Sequence, residues 1–256
     1  FLKVGVADAI GEYVNYAWRA PGALGVNNAW LVLYAYAAQL LADFWGYSTM
    51  AVGLGACFGL ELPINFDNPY ASASLREFWR RWHITLSGWL RDYLYISLGG
   101  NRGVSKARAA FNRLATMALG GLWNGAGWNY LLWGTLHGVW MDLELVTDKF
   151  RARWPRWLGV FVTFHVVVAL WLPFRAPSMQ ALWQFVTRLF TTRFDSAMPT
   201  QTLVLTVGFL VAQKPLFAAV RRDDLKPWVE GLLAALMVWA LLAYGSAKSD
   251  FIYYVF

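Results

Sequence analysis

The chain of 256 residues has a single cysteine, Cys57, which excludes an intrachain disulfide and any cysteine-based metal site. Its place in the apolar stretch Gly53-Leu-Gly-Ala-Cys-Phe-Gly-Leu60 reads as a small buried residue. Charge is scarce too: 14% of residues are charged, against about 25% in a soluble globular domain. So few polar groups cannot cover a water-facing surface. A Walker loop, a dinucleotide fingerprint, an HExxH motif and a nucleophile elbow are all missing, so the chemistry those motifs support is not expected. There is no repeat of fixed period, no low-complexity tract and no linker long enough for a second domain, so residues 1–256 read as one domain. The chain begins at Phe1 rather than Met, with no charged n-region before a cleavable apolar stretch, and the expectation is a start that is cut short.

What fills the space is apolar. Hydrophobic residues make up 58% of the chain and fall in long, nearly uniform runs, so the solvent around them is expected to be a lipid bilayer. Sixteen Trp and twelve Tyr fit that solvent, because their amphipathic rings favour the headgroup region. The net charge of +7 could suggest nucleic acid, but the basic residues sit in short loops between apolar runs and no reader motif accompanies them. Arg102, Lys106, Arg108 and Arg113 form one such loop, Lys149, Arg151, Arg153 and Arg156 a second, and Lys214, Arg221, Arg222 and Lys226 a third. The positive-inside rule makes these loops cytoplasmic. The 175–200 segment and the C-terminal tail then face the other side.

Along the chain, Asn28 to Phe44 and Thr49 to Leu60 are two apolar pieces separated by Asp43-Phe-Trp-Gly-Tyr-Ser48. Each is short for a crossing of about 20 residues, which predicts a broken or re-entrant pair. Leu75 to Leu98 interleaves aromatic and charged residues and predicts a helix inside the protein or along the interface. Leu114 to Trp123 is too short to cross, which places the turn at Asn124-Gly-Ala-Gly127 at membrane depth before the run Trp128 to Val146. Further spans are expected at Trp157 to Phe174, at Thr202 to about Gln213 with an interruption at Lys214-Pro215, and at Trp228 to Tyr244. Gln180 to Phe190 is short and amphipathic, as an interfacial helix would be.

Histidine is limited to three positions. An ionisable residue inside a membrane segment is a functional hypothesis by default. For His83, in Phe78-Trp-Arg-Arg-Trp-His-Ile-Thr-Leu-Ser87, a functional role and a packing hydrogen bond stand side by side. For His137, in Trp133-Gly-Thr-Leu-His-Gly138, packing is the simpler account, and His165 lies among apolar neighbours as a structural residue would. Arg80, Arg81, Arg91 and Asp92 need company at this depth. They could form ion pairs with Glu77 and each other, or an electropositive wall for an anionic thioester donor. The pairs Gly99-Gly100 and Gly120-Gly121 signal turns and close packing.

Several stretches together resemble the membrane-bound O-acyltransferase family, in particular its bacterial alginate O-acetyltransferase branch. They are Asp43-Phe-Trp-Gly-Tyr-Ser-Thr-Met-Ala-Val-Gly53, Asn65-Phe-Asp-Asn-Pro-Tyr70 and Glu77-Phe-Trp-Arg-Arg-Trp-His-Ile-Thr-Leu-Ser87. Trp89-Leu-Arg-Asp-Tyr-Leu-Tyr-Ile-Ser-Leu-Gly-Gly-Asn-Arg102, Gly120-Gly-Leu-Trp-Asn-Gly-Ala-Gly-Trp128, Leu132-Trp-Gly-Thr-Leu-His-Gly138 and Phe251-Ile-Tyr-Tyr-Val-Phe256 continue the series in order. The resemblance implies an all-α, polytopic transmembrane bundle with short re-entrant or interfacial helices around a central funnel or tunnel. It implies further spans ahead of Phe1, so that residues 1–256 are the C-terminal part of a longer fold.

For function, the resemblance implies transfer of an acyl group, acetyl in this branch, to hydroxyls of an exported polysaccharide such as alginate. The donor would be a cytoplasmic thioester, acetyl-CoA or an acyl-carrier phosphopantetheine, with no resident cofactor or metal. The setting would be the bacterial inner membrane, with periplasmic polysaccharide-acetylation proteins as partners. By the same resemblance the tunnel would be lined by Trp79, Arg80, Arg81, Trp82, Arg91, Asp92, Trp123 and His137. The family's catalytic His belongs in a Gly-Leu-Trp-His-Gly motif, where this chain has Gly121-Leu-Trp-Asn-Gly125, so Asn124 holds the position of the general base. His83 matches the second polar site position. Trp45 and Thr49 also depart from the branch, which tends to a small and an acidic residue there. An imidazole takes a hydroxyl proton near neutral pH and a carboxamide does not. The implied alternatives are therefore an acetyl-transferring enzyme, or an impaired relative that binds donor or partner proteins as a scaffold. A transporter or channel would rest on the intramembrane charges alone.

Overall fold

A computed structural model describes residues 1–220 together with Gly231, Leu232, Ala235, Val238 and Trp239. Every element among the described residues is helical. In chain order they are α1 (Ala9–Arg19), α2 (Val26–Cys57), α3 (Leu75–Arg81), α4 (Ile84–Trp89), α5 (Lys106–Asn124), α6 (Trp128–Val146), α7 (Asp148–Arg151), α8 (Arg156–Arg175), α9 (Met179–Arg188) and α10 (Thr200–Val220). π-helical turns precede α1 at Leu2–Asp8 and extend α4 at Leu90–Tyr95. The chain divides into two compact units, one of residues 1–62 and 183–256, the other of residues 63–182.

In the first unit, α1 buries Ile10, Val14, Ala17 and Trp18, the one-face spacing of an amphipathic helix. Trp18 stacks on Phe185 with ring centroids 4.6 Å apart. The helix α2 corrects the expectation of a broken pair: it runs unbroken for 32 residues, about 48 Å at 1.5 Å per residue. No proline interrupts it, and Asp43 and Thr49 each find a local partner. Lys3 pairs with Asp43 at 3.1 Å and with Asp8 at 2.7 Å, and the Thr49 hydroxyl donates back to the Trp45 carbonyl at 2.8 Å. Cys57 is exposed rather than buried, because it is the last residue of α2, where the chain turns away through Phe58 and Gly59. The α10 helix continues through Pro215, where the sequence predicts an interruption. Trp45 stacks on Phe217 at 3.7 Å beyond that proline. The expected span at 228–244 and the motif at 251–256 lie outside the described residues, apart from the five named above.

In the second unit, α5 and α6 form a hairpin with unusually close backbones. A Cβ at Gly121 would overlap the Tyr130 carbonyl, and one at Gly134 would overlap the Met117 carbonyl. Glycine at both positions is what allows the helices to touch. The α5 helix starts at Lys106, capped by the Ser105 hydroxyl, which accepts from the Arg108 amide at 3.2 Å. Its 19 residues reach about 28 Å, so shortness does not place the Asn124 turn at membrane depth as the sequence suggested. The expected helix from Leu75 to Leu98 is also corrected: it is broken at His83, which adopts φ 43° between α3 and α4.

By length and composition, two helices among the described residues could cross a membrane: Arg156–Arg175, with a mean hydropathy of 1.9, and Thr200–Ala219, with 1.6. The amphipathic segment forms α9, with Leu182 and Phe185 buried and Trp183 exposed.

Candidate functional site

The second unit gathers most of the candidate residues on α3, the turn after it, and α6. The first turn of α3 is fixed by its own sequence. The Ser74 hydroxyl accepts from the Glu77 amide at 3.1 Å, while the Glu77 carboxylate accepts from the Ala73 amide at 2.7 Å, a variant of the capping box that reaches one residue before the N-cap. Glu77 also pairs with Arg81 and Arg156 at 2.8 and 2.9 Å. Burial alone would raise its carboxyl, but the Ala73 amide and the two guanidiniums outweigh it and hold the group below the usual carboxylate range. From α6, the buried Glu144 carboxylate accepts from the Leu75 amide at 2.8 Å and pairs with Arg151 at 2.9 Å. Arg151 reaches on to the Ala73 carbonyl. The basic loop at 147–156 therefore clamps α3 as well as carrying charge.

That clamp presents Phe78, Trp79 and Trp82 to one aromatic cluster. Phe78 stacks on Trp82 at 5.5 Å, Trp82 lies 5.0 Å from Trp171, and Trp133 stacks on Trp171 at 5.7 Å. His137 sits within this cluster with no solvent exposure. Its Nδ1 accepts from the Trp79 indole at 3.2 Å, and its Nε2 has no hydrogen-bond partner among the described residues. The packing account of His137 is thus realised on one nitrogen, and the other remains a buried polar atom.

His83 is held differently. Its left-handed backbone is sparsely populated for a non-glycine residue and carries strain. Asn65, in the extended segment ahead of α3, supports the turn. Its carbonyl accepts from the Ile84 amide at 3.0 Å, and its side-chain oxygen accepts from the Thr85 amide and hydroxyl at 3.2 and 2.6 Å. The same oxygen lies 3.3 Å from His83 Nδ1. Asn124 is buried as the last residue of α5, and its carboxamide donates to the Gly120 carbonyl at 2.8 Å.

The remaining candidates are not drawn into this cluster. Arg91 and Asp92 pair with each other at 2.7 Å and are exposed, and Arg80 and Trp123 are exposed as well. Of the two readings of these charges, ion pairs form as two separate sets, Glu77 with Arg81 and Arg156, and Arg91 with Asp92. Asn65 and Glu144 were not singled out by sequence. The signal for Glu144 was present, since it and Asp142 are the carboxylates of a mostly apolar helical run.

The profile described as "MBOAT, membrane-bound O-acyltransferase family" matches residues 13–155. The chain is 45% identical over 192 residues to a probable alginate O-acetylase of Pseudomonas aeruginosa, covering 74% of this chain and 36% of that protein. It is 39% identical over 185 residues to a peptidoglycan O-acetyltransferase of Helicobacter pylori, covering 71% of this chain and 35% of the relative. A teichoic acid D-alanyltransferase of Bacillus subtilis is 32% identical over 153 residues, 54% of this chain and 38% of its own. The chain therefore spans little more than a third of the length of these relatives.

Proposed function

The chain belongs to the membrane-bound O-acyltransferase family, and on that premise we propose that it takes part in moving an acetyl group from a cytoplasmic thioester to a hydroxyl of an exported polysaccharide. The alginate and peptidoglycan acetylases among its relatives support the acyl group and the class of acceptor. The protein works in the bacterial inner membrane as part of a polytopic bundle around a tunnel, with the basic loops on the cytoplasmic side and periplasmic acetylation proteins receiving the product side. The donor is acetyl-CoA or an acyl-carrier phosphopantetheine.

In this reaction the acceptor oxygen attacks the thioester carbonyl, a C–O bond forms and the C–S bond breaks. The hydroxyl proton must leave and the thiolate must gain one. An imidazole at 124 would carry that proton. Asn124 cannot, because its amide nitrogen is not basic and already donates to Gly120. It can still hydrogen-bond a bound group through its carbonyl oxygen. The observation that carries the proposal is a buried side chain closing α5 directly before a glycine-rich bend, at the position where the family motif has its base. The consequence is a slow enzyme: the site holds donor, and turnover lacks its general base.

Asn124→His should raise thioester consumption by purified protein in lipid by about two orders of magnitude, the scale of general-base catalysis. Full activity in the Asn124 form would move the base to His83 or His137. If Asn124→His stays inactive in a well-folded protein, the carboxamide marks a relative that binds donor or partner as a scaffold.

A further inference from the structure

Asn124 stands between two glycines that one and the same residue touches. Tyr130, the third residue of α6, sets its carbonyl against Gly121, one turn before Asn124, and its ring against Gly125, directly after it. A Cβ at either glycine would overlap those Tyr130 atoms. Gly127 is drawn in as well, since a Cβ there would lie 3.4 Å from the same ring. The bend of residues 125–127 therefore wraps around a single aromatic side chain.

Gly125 is not required for its backbone freedom. Its φ is 175°, an extended conformation open to any residue. What excludes a side chain at 125 is the Tyr130 ring. The bend closes on itself through local bonds, with the Gly125 amide donating to the Leu122 carbonyl at 3.3 Å and the Gly127 amide to the Gly125 carbonyl at 2.9 Å. Those bonds shape the turn, whereas the ring fixes its place against α6.

The ring is in turn held by the end of α8. It meets Phe174 edge to face at 5.5 Å, and Phe174 is buried. The neighbouring Asn129 amide group donates to the Ala176 carbonyl at 2.8 Å. A helix outside the α5–α6 hairpin thus sets where Tyr130 stands, and Tyr130 sets the backbone on both sides of residue 124. Errors of about 1 Å in the placement of a reacting group can cost about 10² in rate, so this chain of contacts bears on the chemistry.

We propose that Tyr130 is a positioning residue that aims the side chain at 124. This rests on the reading above, in which position 124 is where the family motif has its general base. Tyr130 acts through the backbone and needs no contact with the reacting atoms.

The test starts from the Asn124→His protein in lipid nanodiscs and takes two readouts: kcat and donor KM for thioester consumption, and the NMR resonances of the imidazole that this substitution introduces. Adding Tyr130→Ala should lower kcat by about tenfold or more while donor KM stays within about twofold, the mark of lost orientation and not of lost binding. The imidazole resonances, single with the ring in place, should broaden or split. Tyr130→Phe keeps the ring and should rescue both readouts. Gly125→Ala pushes a methyl at the ring, so it should reproduce the loss, and adding it to Tyr130→Ala should cost nothing further. Gly125→Ala also decides the matter where Tyr130→Ala does not fold. Parental kcat in Tyr130→Ala overturns the proposal, and so does a fall in kcat with unchanged resonances. A Tyr130→Phe protein as slow as Tyr130→Ala overturns it too, by placing the hydroxyl and not the ring in the reaction. If Asn124→His consumes no thioester, the general-base reading fails by itself, and the resonances alone decide for or against Tyr130.

Discussion

The Trp79 indole donates to Nδ1 of His137 across 3.2 Å, joining α3 to α6 inside an aromatic cluster closed to solvent. Because Nδ1 accepts, the proton of the neutral ring belongs on Nε2. The bond thus sets both the ring orientation and the tautomer of a fully buried histidine. Trp79→Phe keeps an aromatic ring against Trp133 and removes the donor. Leaving Nδ1 unpaired should cost about 1–3 kcal/mol, read as a lower thermal midpoint in nanodiscs. An unchanged midpoint would mean that the contact contributes packing and no hydrogen bond.

The α5–α6 hairpin gives a sharper stability test. Gly134→Ala would drive a methyl into the Met117 carbonyl and force the helices apart. Overpacking of this kind typically costs about 1–3 kcal/mol. Gly208→Ala in α10 meets nothing within 4 Å and should hold or raise the midpoint, since alanine is the better helix former. Equal effects of the two substitutions would show that helix propensity, and not the crossing, governs Gly134.

How far these features could be read in advance varies with the distance over which they are determined. The α8 helix was legible because Trp157 to Phe174 is apolar at nearly every position, Thr163 and His165 aside. The start of α5 was not read, although Ser105 is a good N-cap, because the arginines and lysine after it look like a loop. The break at His83 had no local signal at all. Trp82-His83-Ile84 contains neither glycine nor proline, and the bend depends on Asn65, 18 residues earlier. The candidate site follows the same division. Asn124 and His83 stand out as residue types in a motif, whereas the support from Asn65 and Glu144 exists only once the chain has folded.

The proposed orientation rests on charge and can be tested chemically. Ser105 and Thr192 are both exposed, on segments assigned to opposite sides of the membrane. In a Cys57→Ser background, an impermeant thiol reagent on whole cells should label Thr192→Cys and spare Ser105→Cys. The reverse pattern would invert the protein and place the 175–200 segment on the donor side.

His83 allows backbone and side chain to be separated. Its φ of 43° costs an L-residue about 1–2 kcal/mol that glycine does not bear. If the imidazole has no part in the reaction, a substitution that relieves the strain should leave transfer intact. If it lines the reaction site, relief and loss of activity come together. In the Asn124→His background, His83→Gly should therefore hold or raise the thermal midpoint while cutting acyl transfer by about tenfold or more, within the range for losing an acid–base group. Asn65→Ala supplies the complement. It removes the acceptor for the Thr85 amide and hydroxyl, so midpoint and transfer should fall together. Were His83→Gly to leave transfer intact, the strained turn would be a device for joining α3 to α4, and the site would have to be rebuilt around His137.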